Sequence, residues 1–229
     1  MRTFLLLSAL VAVSACNGSD DSTTTPPNNN PGGSNGGTAG LNVTADSGFS
    51  DRVAVVSTDV PARVHVTNAG QPAANAAVVW SVTGGGGKVT PATSTTDATG
   101  AASATWTIGD TARINTLTAG VTGSTATLQV TAIASAPTTV ARASADSSAV
   151  VAGASLLLAV RVVDRFGNPV SQVPVTWTAS GGTLSVSAGN TGPSGRAEVA
   201  FSTNRTAGAY TITGSVAGLG SATFKVVGF

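Results

Sequence analysis

Val173-Pro174-Val175-Thr176-Trp177-Thr178-Ala179 alternates between residues that seek a core and residues that seek water. Val173, Val175, Trp177 and Ala179 fall on one face and the threonines on the other. That two-residue period belongs to a strand with one buried side. The same reading holds on either side of it. Ala197, Val199 and Phe201 form the inward set of one later stretch, and Ala222, Phe224 and Val226 that of another. Beyond the N-terminal apolar run, no segment sustains the 3.6-residue period of an amphipathic helix. The alternating stretches are short and separated by Gly, Pro, Asn and Asp, which supply turns. This pattern predicts an all-β chain.

The pattern occurs twice. Gly70-Gln71-Pro72 followed by Val78-Val79-Trp80 returns as Gly167-Asn168-Pro169 followed by Val175-Thr176-Trp177. Asp97-Ala98-Thr99-Gly100 before Trp106 matches Gly192-Pro193-Ser194-Gly195 before Phe201. Ala126, Leu128 and Val130 match Ala222, Phe224 and Val226. Spacing this regular over a whole domain length means two copies of one fold, not a solenoid. Each copy holds seven or so predicted strands, which argues for a β-sandwich. In the first copy the inward sets are Val78, Trp80 and Val82, then Ala102, Ala104, Trp106 and Ile108, then Ala126, Leu128 and Val130. A domain of this size buries somewhat over ~60% of its unfolded surface and needs no disulfide.

Asp164-Arg165-Phe166-Gly167-Asn168-Pro169-Val170, then Val173 to Trp177, Gly182-Thr183-Leu184, Gly195-Arg196-Ala197 and Gly208-Ala209-Tyr210-Thr211-Ile212-Thr213 come in a characteristic order. Together they resemble the bacterial Ig-like domains of the invasin and intimin type. The resemblance covers most of residues 138–229. Copy one is a degenerate version, with the turn Asn68-Ala69-Gly70-Gln71-Pro72 one residue shorter. The resemblance implies tandem Ig-like sandwiches acting as rigid spacers or adhesive units at a cell surface. The Gly-Asn-Pro turn reads as a fold signature without chemistry: Gly permits positive φ, Asn tolerates it and Pro sets the exit. Stiffness between the copies is expected from Ile133 to Thr138, where Pro137 restricts one φ.

The N-terminus carries a different message. Arg2 precedes an apolar run from Phe4 to Val13, then Ser14-Ala15 and the only cysteine, Cys16. This is the layout of a secretory signal peptide. Val13-Ser14-Ala15-Cys16 resembles the lipobox of bacterial lipoproteins, which implies acylation of Cys16 and a membrane as partner. About ten apolar residues fall short of the roughly 20 that span a bilayer, and a single cysteine cannot form a disulfide within the chain. Asn17 after the cysteine implies, by the same resemblance, the outer membrane or cell surface. Residues 17–40 contain no aromatic or β-branched aliphatic residue, so a disordered spacer is expected. As a flexible coil it has an r.m.s. reach of roughly 25–30 Å. The expected organisation is a signal peptide over 1–15, a lipidated N-terminus and linker over 16–40, and Ig-like domains over 41–136 and 137–229.

Chemistry is sparse. His65 is the only histidine and alternates with valines, so it is expected to face solvent. No Gly-x-Ser-x-Gly elbow occurs. Gly84-Gly85-Gly86-Gly87-Lys88 has neither the leading glycine nor the Ser/Thr of a phosphate loop, and reads as a flexible connection between strands. Zinc would need several His or Cys ligands. Asp46, Asp51, Asp97, Asp146 and Asp164 lack the dense spacing of a calcium loop. No metal, cofactor or catalytic residue is therefore expected, and no enzymatic activity. After loss of residues 1–15 the chain has as many basic as acidic side chains, without a basic stripe, which argues against nucleic acid. Trp80, Trp106 and Trp177 all fall on the inward phase and read as core. A sugar-stacking platform on those rings is the alternative, so the expected partner is an extracellular protein or a glycan.

Overall fold

The computed structural model describes residues 40–49 and 51–229, so Cys16 and the spacer lie outside the described residues. In the first copy the strands are β1 (Leu41–Ala45), β2 (Val53–Val55), β3 (Asp59–Asn68), β4 (Gln71–Pro72), β5 (Ala77–Gly84), β6 (Gly87–Thr90), β7 (Thr93–Thr95), β8 (Ala101–Ile108), β9 (Ile114–Val121) and β10 (Ser124–Ile133). The second copy continues with β11 (Pro137–Arg142), β12 (Ser147–Val150), β13 (Ser155–Asp164), β14 (Pro174–Ala179), β15 (Thr183–Leu184), β16 (Ala188–Asn190), β17 (Arg196–Ser202), β18 (Gly208–Val216) and β19 (Gly220–Gly228). Ten and nine strands exceed the expected seven, because pieces as short as β4 and β15 are too brief to alternate. Among the described residues no helix occurs.

Each copy is two packed sheets. In copy one, β1-β3-β8-β6, with β4 on β3, faces β2-β10-β9-β5-β7. In copy two, β11-β13-β17-β15 faces β12-β19-β18-β14-β16. All pairings are antiparallel except β2 on β10 and β12 on β19, which run parallel. The repeat is thus one of topology as well as of sequence.

Most of the inward residues read from the alternation meet between the sheets, with Val82 and Ala179 only partly buried, and Leu117, Leu158 and Ile212 join them. Val78, Trp80, Ala102, Trp106, Ile108, Leu117 and Leu128 sit in one buried cluster. Leu158, Val175, Trp177, Val199, Phe201, Ile212 and Phe224 sit in another. Full burial of each large apolar side chain contributes about 1.5–3 kcal/mol, so these two cores hold the copies together. In copy two the ring of Phe201 meets Tyr210 edge-on at 5.5 Å.

One buried hydroxyl recurs in both copies. Thr96 accepts from Ala76 N–H and donates to Ala73 C=O. Thr191 accepts from Val173 N–H and donates to Val170 C=O in the same place. Each threonine satisfies main-chain groups where the chain crosses between sheets, groups that burial would otherwise leave unpaired.

The glycine run is a tight crossing and not the flexible connection expected. Gly85, Gly86 and Gly87 all have positive φ. A Cβ on Gly87 would stand 2.2 Å from Thr107 O, and one on Gly85 2.3 Å from the Asn115 side chain. The backbone of this crossing from β5 to β6 lies directly against β8, Gly109 and Asn115 of β9, which only glycine allows.

Candidate functional site

The polar side chains proposed or tested from the sequence do not converge. His65 is half-exposed on β3, and its Nε2 lies 3.3 Å from Asp46 Oδ1. Arg63 Nε approaches the other oxygen of Asp46 at 3.9 Å. That surface trio is worth little to stability. Asp146 pairs with Arg142 at 3.0 Å. Asp97 accepts from the Thr99 hydroxyl and from the Thr99 and Ala101 amides, and these bonds hold its carboxyl below the usual carboxylate range. Among the described residues, no group of three or more His, Cys, Asp and Glu is placed to hold a metal ion.

The tryptophans are core residues, as their phase predicted. Trp80, Trp106 and Trp177 are all buried, so none forms an exposed platform for a sugar ring. Trp80 donates from Nε1 to Ser94 Oγ at 2.8 Å, whereas Trp106 and Trp177 keep buried indole N–H groups without a partner.

Concave surface carries little chemistry. A depression of about 400 Å³ is bordered by Ala45–Phe49, Thr127 and Gln129, with Asp46 its only ionisable side chain. A crevice of about 380 Å³ lies between the copies, with Ala112, Ala132, Ile133 and Ala134 on one side and Pro169, Val170, Ser171 and Pro193 on the other. No acid or base lines it.

The densest buried polar group lies beside that crevice, at the turn after β13. Asp164 and Asn168 are 2% and 6% exposed. Asp164 Oδ1 accepts from the Phe166 and Asn168 amides, which shapes the turn. Asp164 Oδ2 accepts from Ser135 N–H at 2.9 Å and from the Ser135 hydroxyl at 3.2 Å, on the segment joining the copies. Asn168 reaches into copy one: Nδ2 donates to Asp110 C=O at 2.7 Å, and Oδ1 accepts from Ala112 N–H at 2.9 Å. Burial works to raise the Asp164 carboxyl, but the hydrogen bonds from Asn168, Ser135 and Phe166 outweigh it and hold it below its usual range. The turn expected to carry no chemistry therefore makes the polar contact between the copies.

Sequence reasoning missed the receiving side of this contact. Asn115 is fully buried; its Oδ1 accepts from Gly109 N–H and its Nδ2 donates to Arg113 C=O. The Ser57 hydroxyl donates to the Asp110 carboxylate. These two side chains brace the loop that presents Asp110 C=O and Ala112 N–H. A buried asparagine in an alternating strand was the available signal.

Paired sheets, a parallel edge strand and a sandwich core define an all-β Ig-like fold. Residues 135–227, within the second copy, match the family model of the bacterial Ig-like domain (group 1). Among solved structures the chain is similar to FdeC, an Escherichia coli adhesin, at 21% identity and a TM-score of 0.59, covering 82% of this chain and 63% of that one. The Yersinia pseudotuberculosis adhesin InvE matches at 17% identity and a TM-score of 0.37, over 82% of this chain and 58% of that one. The D0-D1 domain of intimin matches at 22% identity and a TM-score of 0.33, over 80% and 94%. No curated protein matches the chain.

Proposed function

We propose that the protein is a lipid-anchored, non-enzymatic surface protein whose two Ig-like sandwiches serve as a spacer or adhesive unit. The observation that carries this reading is the order of parts: an apolar leader, Val13-Ser14-Ala15-Cys16, a polar spacer and then two sandwiches. Acylation of Cys16 would hold the chain at a membrane. Each buried methylene of a lipid chain contributes about 0.8 kcal/mol, and two chains anchor stably where one does not. The spacer over 17–40 would lift the sandwiches clear of the headgroups. The adhesive side of the reading is supported by the likeness to the adhesin FdeC.

The test is Cys16→Ser in the producing bacterium. The parent protein should sediment with membranes and incorporate a radiolabelled fatty acid, and the variant should do neither. A variant that stays in the membrane fraction, or a parent that takes up no label, sinks the anchor. Binding of intact cells to host matrix proteins or glycans, compared with cells lacking the protein, tests adhesion separately.

A further inference from the structure

We infer that the Asp164–Asn168 turn is a latch that locks the two sandwiches into one stiff unit. The planar amide of Asn168 carries two N–H donors and one oxygen acceptor. One N–H and the oxygen meet main-chain groups of copy one, Asp110 C=O and Ala112 N–H. Only one orientation of the amide satisfies both, so the contact selects an angle as well as a distance. Asp164 completes it from behind. Its carboxylate receives Asn168 Nδ2 at 3.0 Å and takes the joining segment through Ser135. One carboxylate thus orients the reaching amide and ties down the linker beneath it. Hydrogen bonds to an ionised acceptor are the stronger kind.

The receiving loop is braced from within copy one by Asn115 and Ser57. The corresponding turn of copy one provides an internal control. There Asn68, Ala69, Gly70 and Gln71 are exposed, and Ala69 and Gly70 both have positive φ, the geometry of a two-residue hairpin turn. Copy two has three residues, Arg165, Phe166 and Gly167, with only Gly167 at positive φ. The extra residue gives Asp164 two amides to cap and brings Asn168 into the junction. The latch therefore depends on that insertion together with the Asp and Asn pair, and only copy two has all three. Without such a contact, movement between adjacent domains is the ordinary expectation.

The inference is independent of the lipid anchor and is tested on the full chain carrying Cys16→Ser. Spin labels at Lys88→Cys and Lys225→Cys, both exposed and one on each copy, report the distance between the copies by pulsed electron resonance. The latched protein should give one narrow distribution. Asn168→Ala, which removes the reaching amide, and Ala112→Pro, which removes one donor on the receiving loop and leaves the turn intact, should each widen it about twofold or more, as for domains free to move. Melting of each sandwich, followed by hydrogen exchange, should stay cooperative in both variants. A broad distribution in the parent overturns the latch, and so does a narrow one retained by either folded variant. If both variants fail to fold, the contact belongs to folding itself and the inference is equally lost.

Discussion

The two sandwiches share a topology and nearly every inward position, yet they treat buried polar groups differently. At the first tryptophan, copy one pairs the Trp80 indole with Ser94, which stands opposite Val78 on β7. In copy two the same register places Gly189 opposite Val175, and Trp177 has no partner. At the second aromatic position, copy one has Trp106 with an unpartnered N–H, and copy two has Phe201, which needs none. At the turn after the long strand, copy one faces solvent while copy two reaches into its neighbour. A backbone can therefore be repeated faithfully while the satisfaction of its buried polar atoms is settled site by site. Shape is set by many apolar contacts, each replaceable, whereas a hydrogen bond needs one particular partner.

The comparison can be broken most forcefully at the cores. Trp106→Ala should destabilise copy one by about 3–5 kcal/mol through the cavity it leaves. Two transitions in chemical denaturation should result, with the Tyr210 signal of copy two lagging behind. A single shifted transition would mean that the copies unfold as one. A finer contrast lies at the first tryptophan. Ser94→Ala should cost copy one about 1–3 kcal/mol by stranding the Trp80 N–H. Gly189→Ser should stabilise copy two by about 0.5–1.5 kcal/mol by giving Trp177 an acceptor. Gly189 has open space around its missing Cβ and no positive φ, so the new side chain meets no obstacle. Denaturant midpoints for the pair should move in opposite directions. If Gly189→Ser lowers stability, the two sites are not equivalent.

The smallest effect is confined to acid. The Asp164 carboxyl is depressed in the folded chain, so it contributes stability above its ordinary value near 3.8, and that contribution is lost as pH falls through the lower, folded value. Copy one, with Asn68 at the matching position, has no such dependence there. Melting curves recorded at falling pH should show copy two losing stability to a greater degree than its Asp164→Asn variant does. Parallel acid profiles for the two proteins would remove Asp164 from the account of the junction.

Much of the fold was legible because alternation is a direct consequence of strand geometry. Val173, Val175 and Trp177 had to share a face, and the core bears that out. The repeat carried the reading of copy two onto copy one, down to Trp80 and Trp106. Other features left no such trace. The parallel pairing of β2 with β10 joins residues far apart in the chain, with no pattern marking it. The glycines at 85–87 were visible, but their need became plain only once Thr107 and Asn115 stood against them. Thr96 and Thr191 are buried links between main-chain segments, and no alternation marks them.

By itself the sequence determined that this chain folds as two all-β sandwiches, which residues fill much of their cores, and that the only cysteine follows an apolar run. Those features are local or periodic, so each is written within a few residues or repeated along the chain. Tertiary structure alone decided that the turn from Asp164 to Asn168 serves the neighbouring domain. Asn168 meets Ala112 across 56 positions of sequence, and its partners there are main-chain atoms that every residue carries. A side chain that recognises backbone imposes no residue type on the other side, and so the contact appears only when the chain is folded.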